Sequence, residues 1–363
     1  MKYAYFFNLS LFQNYIKEFL YMKKLSYKQK RWNTLKCRKA MKTLSKRKKK
    51  KRYIAHNSVD TVFSNQHILC APKNLSLNDN EEETIDFFEK ALDVGKKCSV
   101  DHSIYFDLEN VENITADAVM YIIAFINNFK RLTILKTHIA GNLPNNNFAR
   151  LFLEDVGFYS YVGGLKRTHS SNIKDRFQIS HGKNADGELA GKICDFINNI
   201  MGNKDLLSTK RLYPMIIELM TNTIQHAYNQ NQMSSAMDSN WYIFAERCDD
   251  CIKFVFLDTG VGIPATLWYN YPEKFSKLIY GKKKDAAFIS SALRGEFRTE
   301  TGKLHRGKGL PGIYQDSISG RIRNMSIISG KGKCTIMHNG EIKEKVLSGS
   351  FEGTLFCWEY NIK

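Results

Sequence analysis

Apolar and polar positions recur with a helical or a strand period along most of the chain after residue 80. The first periodic segment begins with three acidic residues, Glu81 to Glu83, and continues with an apolar stripe at Ile85, Phe88 and Leu92. Beyond it the pattern predicts a strand at 103–108, a helix at 116–130, a strand at 132–135 and a helix at 147–155. Strands and helices that alternate at this interval are typical of a small α/β layer domain, which we predict for residues 71–165.

The second half of the chain has a different order of elements. Residues 166–204 have the pattern of a linker followed by helices that lead into a second domain at 205–363. The pattern predicts helices at 186–201 and 204–229, strands at 241–247, 251–257, 322–328, 334–338 and 353–360, a helix from Leu310 and a long irregular stretch at 264–306. Helices first and antiparallel strands later indicate an α+β sandwich, in which helices cover one face of a sheet.

Residues 1–70 form a basic leader that we expect to be disordered. The net charge is +18, and sixteen lysines and arginines without a single acid lie between Lys23 and Arg52. The rest of the chain is therefore close to neutral. Three environments fit such a segment, namely the phosphates of a nucleic acid, an anionic membrane surface, and water alone, as in a solvated linker.

The cysteines and the lack of a long apolar run favour a cytoplasmic protein. No run approaches the roughly 20 apolar residues that cross a bilayer. The eight cysteines are scattered, as in a protein of the reducing cytosol, and only Cys248 and Cys251 form a C-x-x-C pair. No second pair lies at a zinc-like spacing, so we interpret this pair as the tip of a hairpin.

The helix predicted at 204–229 carries polar residues on one face. Glu218, Asn222 and His226 recur every four positions, which stacks them along one side of an otherwise apolar helix. Such a stripe is suited to magnesium and phosphate oxygens. It also fits the exposed edge of an ordinary amphipathic helix.

The predicted strand 251–257 runs directly into Asp258-Thr-Gly-Val-Gly-Ile-Pro. An acid at the end of a buried strand can accept a hydrogen bond from an exocyclic amine such as that of adenine. Gly260 and Gly262, followed by Ile263, would let the backbone approach a flat base. A glycine-rich turn without a ligand is the alternative.

Glycines and basic residues open the helix predicted from Leu310. Arg306, Gly307, Lys308 and Gly309 precede or begin it, and backbone N–H groups at a helix N-terminus can hold a phosphate. The spacing of a Walker A loop is absent from the chain. A fourth segment, Gly353-Thr354, begins the last predicted strand.

In order and spacing, these four segments resemble the N, G1, G2 and G3 boxes of the GHKL ATPase superfamily, over about residues 205–360. The resemblance implies the Bergerat α/β sandwich, with a mixed and mainly antiparallel sheet, and it implies Mg²⁺ and ATP as ligands. It also implies that Glu218 polarises water or a hydroxyl, that Asn222 binds magnesium, and that Asp258 reads adenine. The other implied nucleotide-binding residues are His226, Gly260, Gly262, Ile263, Arg306, Gly307, Lys308, Gly309, Leu310 and Thr354.

Within that superfamily the helix around Asn222 is most similar to the anti-sigma-factor protein kinases. Two-component sensors carry a phospho-accepting histidine on a separate upstream helix, and none of the nine histidines here fits that place. The resemblance therefore implies a regulatory protein that hydrolyses ATP or transfers its phosphoryl group to a serine or threonine of an unknown protein partner. The long stretch 264–306 would close over the phosphates.

The first domain is similar to a STAS domain, the fold of anti-sigma-factor antagonists. The segments 107–118 and 151–158 carry this likeness. Phosphorylated relatives have Asp-Ser-Ser-Gly where this chain has Thr115-Ala-Asp-Ala, so the usual serine acceptor is missing. We expect Thr115 to serve as a helix N-cap.

Two other functions stay open on the sequence alone. The chain would be an ATP-gated binding module if the leader contacted nucleic acid and ATP were turned over little. It would be a scaffold if the nucleotide pocket had decayed. All four segments, however, retain residues whose chemistry suits a nucleotide.

Overall fold

A computed structural model describes residues 4–5, 65–99, 102–162, 173–202, 206–228, 235–271, 284–297, 309–320 and 322–361. Nearly all of the basic leader lies outside this part of the chain, as do Arg306, Gly307 and Lys308. The strands are β1 (Ala4–Tyr5), β2 (Asn65–Cys70), β3 (Asn74–Leu75), β4 (His102–Asp107), β5 (Asn113–Ile114), β6 (His138–Gly141), β7 (Arg176–Gly182), β8 (Trp241–Arg247), β9 (Cys251–Asp258), β10 (Ile322–Ile336) and β11 (Ile342–Asn361). The α-helices are α1 (Glu81–Lys97), α2 (Ala116–Asn128), α3 (Lys130–Leu135), α4 (Asn147–Asp155), α5 (Phe158–Tyr161), α6 (Gly187–Met201), α7 (Leu206–Tyr228), α8 (Ile263–Asn270), α9 (Lys284–Leu293) and α10 (Gly309–Ile318).

The described part of the chain is mixed α/β and contains two main sheets. The first has the order β1-β6-β4-β2, with β6, β4 and β2 parallel and β1 antiparallel to β6. The second has five antiparallel strands in the order β10-β11-β9-β8-β7. Among the described residues this second sheet has no parallel pair, whereas the sequence resemblance implied a mixed one.

Local sequence explains where several helices begin. Three acids in the first turn of α1 and two lysines in its last turn match the helix dipole. The Asn146 side chain caps α4 by accepting bonds from two backbone N–H groups, and Asp186 caps α6 by accepting one, from Leu189. Thr115 occupies the N-cap of α2 as expected, but its hydroxyl bonds to the Asp117 carboxyl group.

Helices cover both faces of the five-stranded sheet. On one face α6, α7, α9 and α10 enclose a core that includes Trp241, Phe254 and Trp358 of the sheet. On the other face α1 and α2 pack against alternate sheet residues such as Tyr242 and Phe351. Because α1 and α2 also pack on the parallel sheet, the two predicted domains share one hydrophobic core.

Specific contacts join the two sheets through α2 and α1. The Tyr121 ring lies 4.9 Å from the Phe351 ring, and its hydroxyl donates to the Glu352 carbonyl at 3.2 Å. At the start of α1, Glu81 pairs with Lys345 at 2.7 Å and with the partly buried Lys333 at 3.4 Å. The packing between the halves is therefore both apolar and ionic.

Several predicted elements differ from the structure, among them the stretch 264–306, which was expected to be irregular but contains α8 and α9. The strand predicted at 132–135 is helix α3, which buries only Leu132 and leaves Ile134 77% exposed, so its apolar residues do not form a strand face. The strands predicted at 322–328 and 334–338 are one strand, β10, which bends at register shifts around Gly330. Strand β7 was not predicted; it lies in the segment expected to be a linker followed by helices, and it pairs with β8 in the second sheet.

No helix in the described ranges is long and apolar enough to cross a membrane. The hairpin expected at Cys248 and Cys251 joins β8 to β9, with the Cys248 N–H donating to the Cys251 carbonyl at 2.8 Å.

Candidate functional site

Helix α7 presents Glu218 and Asn222 on one side, one turn apart and partly exposed. Its opposite side is buried through Ile216, Leu219 and Met220. Partial burial raises the pKa of the Glu218 carboxyl group above its ordinary value. His226 lies one turn beyond Asn222 on the same helix, but its side chain is outside the described part of the structure.

Asp258 ends strand β9 on the sheet face that α7 covers. In the register of the sheet it stands between Trp241 of β8 and Thr354 of β11. The Gly260 N–H donates to its Oδ1 at 2.5 Å. The Thr223 hydroxyl of α7 donates to the Leu219 carbonyl at 3.1 Å and is close enough to the same carboxyl group to lower its pKa. Desolvation outweighs both effects and raises the pKa of Asp258 to about 6. The residue is nevertheless partly accessible to solvent.

The turn after Asp258 is held against the sheet by Ser329. The Ile263 N–H donates to the Ser329 hydroxyl oxygen at 3.0 Å, and that hydroxyl donates to the Gly353 carbonyl at 2.8 Å. Thr354 is buried, and its hydroxyl lies 3.2 Å from that of Ser329. Gly262 has a φ of +85°, and a Cβ there would lie 2.6 Å from the Ser329 oxygen. Only glycine fits this turn without strain.

The start of α10 lies directly against the polar side of α7. A Cβ built on Gly309 would meet Glu218 Oε1 at 2.6 Å, Glu218 Cγ at 2.7 Å and Asn222 Nδ2 at 3.0 Å. Leu310 follows and packs, partly buried, against the core beneath α7. The described part of α10 begins at Gly309, and backbone N–H groups at a helix N-terminus can hold an anion.

The structure thus brings together residues from all four predicted segments. Glu218 and Asn222 meet Gly309, Thr223 of the same helix meets Asp258, and Asp258 is in register with Thr354. Gly260, Gly262 and Ile263 form the turn between Asp258 and α8. The positions of Arg306, Gly307 and Lys308 relative to this group lie outside the described residues.

Sequence reasoning missed two residues that organise the site, Thr223 and Ser329. Thr223 directly follows Asn222, and its place on the side of α7 facing the sheet could have been read from the helical period. Ser329 carried no signal, because a serine in a strand next to glycines has no distinctive pattern. Its role depends on a contact with Ile263, 66 residues away.

The chemistry of this group of residues is that of a polar, anion-accepting site. The Asp258 carboxyl group can accept a bond from an amine, and the side-chain oxygens of Glu218 and Asn222 are of the type that binds magnesium. The N-terminus of α10 supplies donors for negative charge. The residues present therefore fit a magnesium nucleotide.

A separate cleft of about 540 Å³ lies outside this group of residues. It is lined by residues of α1, of α8 and α9 and of the sheet, among them Glu89, Trp268, Asp285 and Glu352. Three acids of the cleft, Glu89, Asp285 and Glu352, already accept hydrogen bonds from backbone N–H groups. The cleft includes neither Asp258 nor Glu218, so it is distinct from the candidate site.

The sequence matches no known protein-family model, and it has no significant match among curated proteins. Functional inference therefore depends on the residues and geometry of this chain.

Proposed function

We propose that this protein binds Mg-ATP between helix α7, the end of strand β9 and the N-terminus of α10, and that it acts as an ATP-dependent regulatory protein of the GHKL type. In this proposal the base contacts Asp258 and the phosphates lie at Glu218, Asn222 and the start of α10. Thr354 lies beside Asp258 and supports the base end of the site.

One observation carries the proposal most directly. A single helix, α7, contacts both proposed ends of the nucleotide, through Thr223 at Asp258 and through Glu218 and Asn222 at Gly309. Glu218 and Thr223 are five residues apart on this helix, a rise of about 7.5 Å along its axis. This spacing supports a base site and a phosphate site served by the same helix.

Glu218 is the residue we assign to polarising the attacking water or hydroxyl. Partial burial raises its pKa, which makes the carboxylate a better proton acceptor near neutral pH. Bound Mg²⁺, with Asn222 as a protein ligand, would supply charge stabilisation for the phosphates. The tight approach of Gly309 to Glu218 would fix the carboxylate next to the donors of α10.

The proposal is tested by calorimetry with Mg-ATP on the full chain and on Asp258→Asn. We expect saturable binding to the unaltered protein and at least about a 100-fold weaker affinity in the variant, since a desolvated carboxylate that accepts an amine is replaced. No binding to the unaltered chain, or equal binding to both proteins, would contradict it.

The melting temperature of Asp258→Asn is a control for folding. Because the native state raises the pKa of Asp258 to about 6, it binds that proton more tightly than the unfolded chain does. This group therefore lowers stability as pH rises from about 4 to about 6. Asp258→Asn should keep or raise the melting temperature at pH 7.5, so weaker binding cannot be ascribed to unfolding.

Phosphate release in the same samples separates the two activities left open by the sequence. Release at a steady rate supports an ATPase or a kinase. Binding with negligible release supports an ATP-gated binding module, and nucleic-acid affinity that falls steeply with salt and disappears on deletion of residues 1–53 would assign the partner.

A further inference from the structure

Two histidines and a cysteine lie together at the first sheet, away from the candidate nucleotide site. His67 is on the edge strand β2 and His102 begins the adjacent parallel strand β4. His102 is in register with Asn65, so His67, two residues along, projects from the same face. Cys98 directly follows α1 as its C-cap residue.

The side chains of these three residues point at a common position. His67 Nε2 lies 3.1 Å from His102 Nδ1, and the ring centroids are 5.0 Å apart. The Cys98 Sγ joins them in a group whose three ligand atoms all lie within 4.8 Å of one another. Cys98 is fully buried, whereas both histidines are partly exposed.

A tetrahedral zinc ion places its ligand atoms at comparable separations. Zn–N bonds of about 2.0 Å and Zn–S bonds of about 2.3 Å imply ligand atoms roughly 3.3–3.6 Å apart. The 3.1 Å separation of the two histidine nitrogens is already close to that value. Shifts of about 1 Å or less in side-chain positions would complete the geometry.

We propose that His67, Cys98 and His102 bind a borderline-soft divalent ion of the Zn²⁺ class, with a fourth position open to water. On binding, the thiol loses its proton to solvent and the hydrogen bond between the two imidazoles is replaced by two metal–nitrogen bonds. The thiolate leaves the site with one net positive charge. Nitrogen and sulfur ligands disfavour Mg²⁺, so this site is independent of the proposed nucleotide site.

The backbone at Cys98 is held in place by Arg131 of α3. Arg131 Nε donates to the Cys98 carbonyl at 2.9 Å, which holds the end of α1 in place. The cysteine is thus positioned by the backbone before any ion binds.

Metal binding would stabilise the edge of the parallel sheet. Of the six residues of β2 only Leu69 is buried, and Ile68 is 60% exposed. An ion held by β2, by the end of α1 and by the start of β4 would join all three elements of this β-α-β unit. We therefore expect the metal-bound protein to unfold at a higher temperature than the metal-free protein.

The test is a titration of the metal-free, reduced full chain with Co²⁺, which reports tetrahedral geometry and thiolate ligation by absorption. We expect one ion per chain, a thiolate-to-metal charge-transfer band, and displacement of Co²⁺ by Zn²⁺. Cys98→Ser should abolish the charge-transfer band, and His67→Gln and His102→Gln should each weaken affinity by at least about 100-fold, more than loss of an outer partner does.

Cys248→Ser is the matched control, because Cys248 and Cys251 form the chain's only C-x-x-C pair. It should leave the charge-transfer band unchanged. His67→Gln keeps the test valid if Cys98→Ser fails to fold, since His67 lies on the exposed edge strand. No band in the unaltered chain, a band that survives Cys98→Ser, a histidine variant with unchanged affinity, or a band lost in Cys248→Ser would each overturn the proposal.

Discussion

The two faces of the five-stranded sheet are both covered by helices, but the residues they bury differ in kind. The face beneath α7 combines an apolar core with a polar end, where Asp258 lies beneath Thr223. The opposite face meets α1 and α2 through aromatic and aliphatic side chains such as Tyr121, Tyr242 and Phe351. One face thus carries the proposed nucleotide site, and the other joins the two halves of the molecule.

This difference explains why the site tolerates a desolvated carboxyl group. A carboxyl group whose pKa is raised to about 6 costs stability at neutral pH. Extensive apolar packing on the opposite face offsets this cost without contacting the site. Variants on the face covered by α1 and α2 should therefore change stability, and variants on the face covered by α7 should change activity.

The largest expected effect is on stability, from Phe351→Ala. This side chain is 3% exposed and packs against Tyr121, so its removal should lower the free energy of unfolding by about 3–5 kcal/mol. Because the two halves share this core, chemical denaturation should remain one transition by fluorescence and by circular dichroism. Phe148→Ala, at a residue 84% exposed, is the control and should have little effect. Two separate transitions would contradict the shared core.

Glu218→Gln should affect turnover without affecting stability. Loss of the proton acceptor is expected to lower the rate of phosphate release by about 100-fold while Mg-ATP affinity stays within a few fold. Glu188→Gln, at a residue that pairs with Lys192 on the surface of α6, is the matched control. An equal loss of binding and of turnover would remove Glu218 from the catalytic role.

Gly309→Ala tests the contact between α10 and α7, and its expected effect on turnover is smaller than that of Glu218→Gln. The added methyl group would displace the Glu218 carboxylate and the Asn222 amide, so we expect turnover to fall about tenfold, which corresponds to about 1.4 kcal/mol. Gly312→Ala is the matched control on the same helix, since a Cβ there meets nothing within 4 Å. It should be neutral or slightly stabilising. Equal turnover in the two variants would contradict the proposed contact.

The smallest expected effect is on the pH dependence of nucleotide affinity. If only the ionised Asp258 accepts the amine of the base, affinity should be constant above pH 7 and about twofold weaker at pH 6, where half of the carboxyl groups are protonated. Calorimetry across this range, with the nucleotide's own protonation measured separately, checks the prediction. Affinity that rises as pH falls to 6 would argue against an ionised Asp258 as the acceptor.

Local patterns allowed much of the fold to be predicted from sequence. Helix α4 has the predicted bounds, and α6, α7, β8 and β9 differ from theirs by at most two residues, because their periods and caps are clear. The strand predicted at 132–135 was wrong, since a short apolar run does not distinguish a strand from a helix. The bent strand β10 was predicted as two strands, because glycines that form bulges resemble glycines that form turns.

The separate segments of the candidate site were predicted from the sequence. The way in which they come together in space could not be predicted. The pairing of Asp258 with Thr354 and the contact of Gly309 with Glu218 join positions about 90 residues or more apart in the chain. No local pattern encodes such distances. The packing of α1 and α2 on the back of the second sheet was likewise beyond the sequence, because an apolar helix face does not identify its partner.

Hydrogen–deuterium exchange with and without saturating Mg-ATP is the most direct test of the central claim, that the nucleotide binds on the α7 face of the sheet. The account predicts slower exchange at residues 218–223 of α7, at 258–263 and at the start of α10, with α1 and α2 unchanged. Unchanged exchange at all three segments, or protection confined to α1 and the cleft beside Trp268, would contradict it.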